Sequence, residues 1–207
     1  KIKNLEKAFK NIDVVYHFAA LSDLNFALNK PHETVKTNIL GTVNILELSK
    51  KYKVGRLIFS SSIYVNSEQG GFYRSSKRAA EDYIEEFSKR FKLNFTILRF
   101  GSLYGERSDK SNGVRKIIES GKYTGEIKYY GNPKSVRRYI YVKDAAKSCV
   151  EALKKKYKNK YLIITGKKSV SIKKLLKLVN KLYGYRKKIK FHNKKLLGHY
   201  IQNPFTY

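Results

Sequence analysis

Methionine is absent from all 207 residues, position 1 included, and cysteine occurs once. A chain without even an initiating methionine is expected to be a fragment of a longer protein. The lone cysteine, Cys149, excludes an internal disulfide and leaves no second thiolate for a metal site. It lies among small and apolar residues in a helical pattern, Ala145 to Leu153, and reads as a small buried hydrophobe rather than a nucleophile. No segment approaches the roughly 18 consecutive apolar residues that a membrane span needs. No charged-then-apolar leader opens the chain, which starts in an amphipathic stretch, Lys1 to Lys10. The expectation is a cytoplasmic protein with no membrane partner. His32, His192 and His199 stand isolated, without metal-ligand spacing, so no metal is expected.

Acidic residues are also scarce. Sixteen Asp and Glu face 45 Lys and Arg, for a net charge of +29. Such a balance invites a nucleic-acid reading. Its distribution argues otherwise, because lysines are scattered over nearly every helix. The densest runs, Lys154-Lys155-Lys156 and Lys167-Lys168, lie at helix ends or turns. Aromatic residues do not interleave with them as an RNA-reading surface would require. A solvated lysine surface remains, with nonspecific attraction to polyanions and a pull on any anionic substrate.

What is present alternates strand and helix. Val14 to Phe18 is a short apolar run fit for a buried parallel strand. Residues 33–52 carry Val35, Ile39, Leu40, Val43, Leu46 and Leu48 at helical spacing, and Gly55 ends that helix. Leu57 to Phe59 reads as a strand, 76–91 as a second amphipathic helix, and Phe95 to Leu98 as a third strand. This βαβαβ order predicts an α/β fold, a doubly wound parallel sheet with right-handed crossovers. Beyond residue 101 glycines punctuate the pattern. The spacing there predicts a helix near 113–120, a strand near 127–130, a strand over 139–142 and a helix over 143–156. A strand over 161–165 and a helix over 171–183 follow.

Three features converge on chemistry. The strand Leu57–Phe59 runs into Ser60-Ser61-Ser62, placing hydroxyls at a strand's carboxyl end, where open α/β sheets bind ligands. Tyr73 and Lys77 stand four apart at the start of the next helix, on one face and one turn apart. His17-Phe18-Ala19-Ala20 ends the preceding strand in small residues that admit a close-lying ligand. A phenol with a pKa near 10 is a poor base at neutral pH, so a lysine ammonium one turn away and a positively charged nicotinamide are expected to pull it down. With a serine hydroxyl on the reacting oxygen, Tyr, Lys and Ser suit alcohol–ketone interconversion in which a cofactor takes the hydride. His17 reads as a strand-end structural residue, and Asp144 as a compensating charge at a helix start.

In these stretches the chain resembles the extended short-chain dehydrogenase/reductase family, the NAD-dependent epimerases and dehydratases. The matching segments are Asp13 to Ala20, Thr37 to Asn44, Phe59 to Ser62, Tyr73 to Lys77, Leu98 to Gly101 through Tyr104-Gly105, and Arg137 to Asp144. The resemblance implies a Rossmann-like fold lacking its first βαβ units, with a small C-terminal substrate-binding lobe. Residues 1–100 would be the partial NAD(P)-binding and catalytic region. Residues 101–207 would contribute later sheet elements and the lobe.

It implies Tyr73 as the base, Lys77 on the nicotinamide ribose and Ser62 as the hydroxyl nearest the sugar. Phe18, Ala19, Ala20, Ser22, Asn38 and Phe100 would lie near NAD or NADP, with Ser102 and Arg137 on the substrate. The implied activity is 4-epimerisation of a nucleotide-activated sugar such as a UDP-hexose, through a keto intermediate. A homodimer through the helices 33–52 and 76–91 would follow the family habit.

Four departures accompany the resemblance. The family's G-x-x-G-x-x-G turn, which holds the cofactor pyrophosphate, does not precede Val14, so roughly 60 residues are expected to be missing by analogy. The loop from Ser62 to Tyr73 is short. Ser102 stands where many relatives carry Asn. Ile63 and Tyr64 occupy the places of the dehydratases' Asp-Glu pair, which favours epimerisation or simple redox over elimination. The last lobe is expected to continue past Tyr207. The alternative is an inactive member or fragment that binds RNA or another polyanion through its lysines.

Overall fold

The computed structural model describes residues 5–124, 126–184, 188–192, 199–202 and 204. Four strands form the main sheet: β1 (Val14–His17), β2 (Arg56–Ser62), β3 (Phe95–Phe100) and β7 (Lys160–Ile164). All three neighbouring pairs are parallel, in the order β1-β2-β3-β7. The β-branched and aromatic runs read from the sequence fill this sheet because both its faces are covered. On one face Leu57 and Phe59 pack against Leu46 of α3 (Gly41–Lys51) and Ala80, Ile84 and Phe87 of α4 (Gly71–Phe91). On the other, Ile58 and Leu98 meet Cys149 and Ala152 in and after α6 (Val142–Glu151). Helices on both sides make this the doubly wound sheet expected. Cys149 is buried, its thiol directed to the Ala145 carbonyl, as a small core residue would be.

The rest of the chain forms a second cluster. Helix α5 (Gly113–Thr124) and helix α7 (Ile172–Leu182) enclose Ile117, Ile127, Ile172, Leu175, Leu176 and Val179. Beside them lie two small sheets. One joins β4 (Ser102–Tyr104), β6 (Val136–Tyr141) and β8 (Ser169–Ser171), and the other joins β5 (Ile127–Tyr130) and β9 (Ile189–His192). Between these pieces the chain returns once to the main sheet, as β7 beside β3.

Several boundaries differ from the sequence reading. The helix predicted over 33–52 starts at Pro31, whose fixed φ suits a first helical position. It is not uniform: α2 (Pro31–Thr34) passes into a π-helical stretch, Val35–Leu40, before α3. The helix predicted over 143–156 ends at Glu151. The chain must turn there to bring β7 alongside β3, and Asn159 fixes that turn by exchanging hydrogen bonds with the Phe95 backbone in both directions. The strand predicted at 57–59 extends through Ser62, and the helix predicted from 76 begins at Gly71. Helix α1 (Leu24–Asn29) and strands β4, β8 and β9 were not predicted.

Candidate active site

Strand alternation sends the Ser61 side chain to one face of β2 and those of Ser60 and Ser62 to the other. Ser60 offers its carbonyl to Lys77 Nζ at 2.7 Å. The Ser61 hydroxyl donates to Glu81. Ser62 lies beside the Tyr73 hydroxyl and caps the short helix Ile63–Asn66, accepting from the Tyr64 amide at 3.3 Å. The sharp return from β2 into α4 runs through Gly70, at φ 111°. A Cβ there would stand 2.8 Å from the Tyr64 ring. That return sets Tyr73 against Ser62, so the three residues predicted to be catalytic are together.

Their electrostatics differ from the expectation. Burial pushes the Tyr73 phenol above its ordinary range, and the Ser62 hydrogen bond only partly opposes it. The Lys77 ammonium is turned to the Ser60 carbonyl beneath the Phe59 ring, 4.7 Å from its centroid. Burial also lowers the lysine, to about 8, with the Glu81 carboxylate pulling the other way. His17 is a structural residue. Its Nε2 lies 2.9 Å from the Thr42 hydroxyl, and burial, then the Lys77 charge, hold it near its neutral form at a pKa of about 4.

The residues expected near a cofactor line the carboxyl end of β1. Phe18 is 47% exposed and meets Phe100 edge-on at 6.5 Å, with Ala19 also exposed and Ala20 half-buried. Asn38 sits within the π-helical stretch and is buried. Its amide accepts from the Leu21 amide at 2.7 Å and donates to the Leu21 carbonyl and to Ser76 Oγ. The side chain therefore ties the loop carrying Phe18 to Ser22 onto α4.

A cavity of about 690 Å³ opens between the sheet and the second cluster. Ser22, Ser102 and Arg137 line it, as do Lys116, Tyr64 and His199. Tyr73, Lys77 and Ser62 do not. Tyr64 is the wall between: its ring faces the cavity on one side and meets the Tyr73 ring edge-on at 6.3 Å on the other. Its hydroxyl lies 3.2 Å from His199 Nδ1, and its ring packs on Tyr200 at 4.8 Å. The Arg137 guanidinium in turn lies 4.1 Å from the Tyr200 centroid. His199 is thus not isolated. No sequence signal joins it to Tyr64, 135 residues away. His192 stacks on Tyr130, 4.8 Å apart. Among the described residues no group of His, Cys, Asp or Glu could hold a metal ion, and no helix is long and apolar enough to cross a membrane.

The sequence profile of the NAD dependent epimerase/dehydratase family matches residues 1–164. A Methanocaldococcus jannaschii protein, provisionally named UDP-glucose 4-epimerase, is 29% identical over 86% of this chain and 63% of its own length. A UDP-glucuronate 4-epimerase of Thermodesulfobacterium geofontis is 24% identical over 88% of this chain and 61% of its own. The chain thus spans about three fifths of these curated relatives. Among solved structures, UDP-glucose 4-epimerase of Thermotoga maritima, with UDP-glucose, superposes with a TM-score of 0.91 at 26% identity, covering 100% of this chain and 73% of its own. UDP-glucuronic acid 4-epimerase of Bacillus cereus, with UDP-glucuronic acid and NAD, gives 0.90 at 26% identity, covering 98% and 70%.

Proposed function

The chain belongs to the NAD dependent epimerase/dehydratase family, and from that footing we propose that its protein epimerises a UDP-hexose at C4 with NAD as cofactor. The observation that carries this reading is the meeting of Tyr73, Lys77 and Ser62 at the carboxyl ends of β2 and β3, behind a cavity that Arg137 enters. Similar proteins bind UDP-sugars and NAD. The dispersed lysines give no comparable support to a polyanion-binding role.

The residues present fit the nicotinamide half of such a cofactor. Exposed Phe18 and Ala19 leave the end of β1 open to a flat ring, and Lys77 provides a buried ammonium at Ser60, two residues before the end of β2. Phe18, Ala19, Ala20, Ser22, Phe100 and Lys77 would hold it, and Asn38 would fix the loop that does so. Bound there, it would supply a hydride acceptor and a positive charge.

The protein's own groups then have separable tasks. Tyr73 would remove the proton from the sugar hydroxyl as phenolate, the form that a positive charge bound beside it favours against burial, and return it, and Ser62 would donate to the oxygen whose charge changes. Arg137 matches phosphate oxygens with its planar fork, and Lys116 adds charge along the same wall. Tyr64 must swing aside for a sugar to reach Tyr73. Its phenol, pushed up by burial, stays neutral and adds no charge to that wall. A homodimer would bury the apolar residues that the paired helices leave exposed, Val35, Leu40, Tyr83 and Phe91 among them.

The test is Tyr73→Phe in the natural full-length protein, assayed for interconversion of UDP-glucose and UDP-galactose with NAD present. Turnover should fall by at least about a thousandfold, on the scale of a lost general acid–base group, with circular dichroism unchanged. Substantial residual turnover in a folded variant would sink the assignment.

A further inference from the structure

Tyr73, Lys77 and Glu81 follow one another at intervals of four along α4, on one face of the helix. The proposed chemistry uses the first two. Glu81 is as deeply placed as Lys77, each 3% exposed. A carboxylate at that depth is strongly unfavourable unless its charge and lone pairs are met. Arg99 of β3 meets them in a two-pronged pair, with Nε at 3.1 Å from one oxygen and Nη2 at 2.6 Å from the other. The Ser61 hydroxyl donates as well. Arg99 is itself held, 4.5 Å from the Tyr161 ring centroid and 3.4 Å from Asn66 Oδ1. Apolar residues of similar volume would often be as stable in such a place, so a buried pair is weak support for a stabilising role alone. Its position is more telling, since it abuts the strand end that carries all three serines and stands one turn from the lysine.

We propose that Glu81, clamped by Arg99 and Ser61, is a positioning residue for Lys77, keeping the lysine charged and its strand-end partner in place. The inference rests on the roles given above to Tyr73 and Lys77. Among the described groups around Lys77, Glu81 is the source of negative charge. From β2 come the Ser60 carbonyl and the Phe59 ring, and from β1 comes His17, neutral above a pH of about 4. From α4 comes Tyr73, kept neutral by burial. Arg99 of β3 pairs with Glu81 itself. Without Glu81 the lysine would sit in a buried site with no carboxylate to oppose the loss of its charge, and burial would drive off its proton. Burial already brings Lys77 to about 8 with Glu81 opposing it.

The experiment follows the lysine directly. The natural full-length protein is labelled with 13C at lysine Cε, and the Lys77 resonance is identified by its loss in Lys77→Met. In Glu81→Gln the titration midpoint of that resonance should fall by a unit or more, a tenfold or greater change in acidity. Glu81→Asp, which keeps the charge, should recover most of the shift. A merely structural role would move thermal stability and leave the midpoint in place, so an unchanged midpoint in folded Glu81→Gln overturns the proposal. If that variant does not fold, Glu81→Gln with Arg99→Gln removes the orphaned cation, and the same midpoint decides. Turnover gives a second reading: Glu81→Gln should lose activity near pH 8 and regain it toward about pH 6, where Lys77 is again charged. The titration needs no substrate. A shifted midpoint in a protein without epimerase activity would uphold the positioning role and refute the proposed reaction instead.

Discussion

His17 ends β1 with its ring 5.5 Å from that of Phe59 and its Nε2 atom against the Thr42 hydroxyl. Burial first, and the neighbouring Lys77 ammonium second, lower its pKa to about 4 from an ordinary 6.5. The unfolded chain therefore takes up a proton that the folded chain refuses. The stability this group contributes is complete above about pH 6.5 and is lost as pH falls toward about 4. At 1.36 kcal/mol per pKa unit, the whole effect is on the order of 3 kcal/mol. His17→Gln keeps a hydrogen-bonding group for Thr42 but cannot titrate. Denaturant unfolding between about pH 7 and pH 5 should show wild type losing roughly 2 kcal/mol more than this variant. Parallel pH profiles for the two proteins would show that His17 protonates freely in the folded state. The histidine was legible as structural because small residues and a strand end surround it. For the Tyr73 phenol, burial is the influence that sequence spacing does not carry. Sequence spacing places Lys77 beside it, but only the fold reveals that the Ser60 carbonyl takes the ammonium.

Elements were legible in proportion to their length and burial. The long runs of β1, β2 and β3 and the amphipathic pattern of α4 carry their own signals, because each must bury one face against the others. Three-residue strands such as β4 and β8 carry none: Ser102–Tyr104 and Ser169–Ser171 are strands only because β6 lies between them. The π-helical stretch was equally hidden, since its side chains keep a helical rhythm while the backbone hydrogen bonds change. The contact between Tyr64 and His199 depends on the join between the second cluster and the main sheet, which no local pattern encodes. That join passes through Gly166, just after β7. A Cβ at Gly166 would stand 2.1 Å from the Tyr139 carbonyl oxygen of β6, a backbone atom that cannot turn away. Strand β6 also carries Arg137, so the glycine governs how the cavity wall approaches the sheet. Gly166→Ala should lower stability by about 1–3 kcal/mol through overpacking, seen as a reduced thermal midpoint, and should weaken in parallel the UDP-sugar binding proposed above. An unaltered midpoint would mean that β6 shifts freely against β7.

At the scale of the whole molecule, a net charge of +29 means that most cations have no carboxylate to pair with. The pairs that do form are largely exposed, such as Lys89 with Glu86 and Lys50 with Glu47. Such pairs are worth little individually. Among the described residues, Arg99 with Glu81 is the deeply placed exception. Repulsion among the remaining lysines thus acts against the compact state over the whole surface. Added salt screens both the pairs and the repulsion. The balance is set by number, and repulsive contacts outnumber attractive ones. Raising sodium chloride from about 0.01 M to about 0.1 M shortens the screening length from roughly 30 Å to roughly 10 Å. The thermal midpoint should therefore rise by several degrees, on the order of 1 kcal/mol for a chain of this size. Chloride suits this measurement better than sulfate or phosphate, which could bind at Arg137 and stabilise by occupancy. A midpoint that falls with chloride would show that the few ion pairs outweigh the excess charge. The lysines would then belong to specific networks rather than to a uniformly solvated surface.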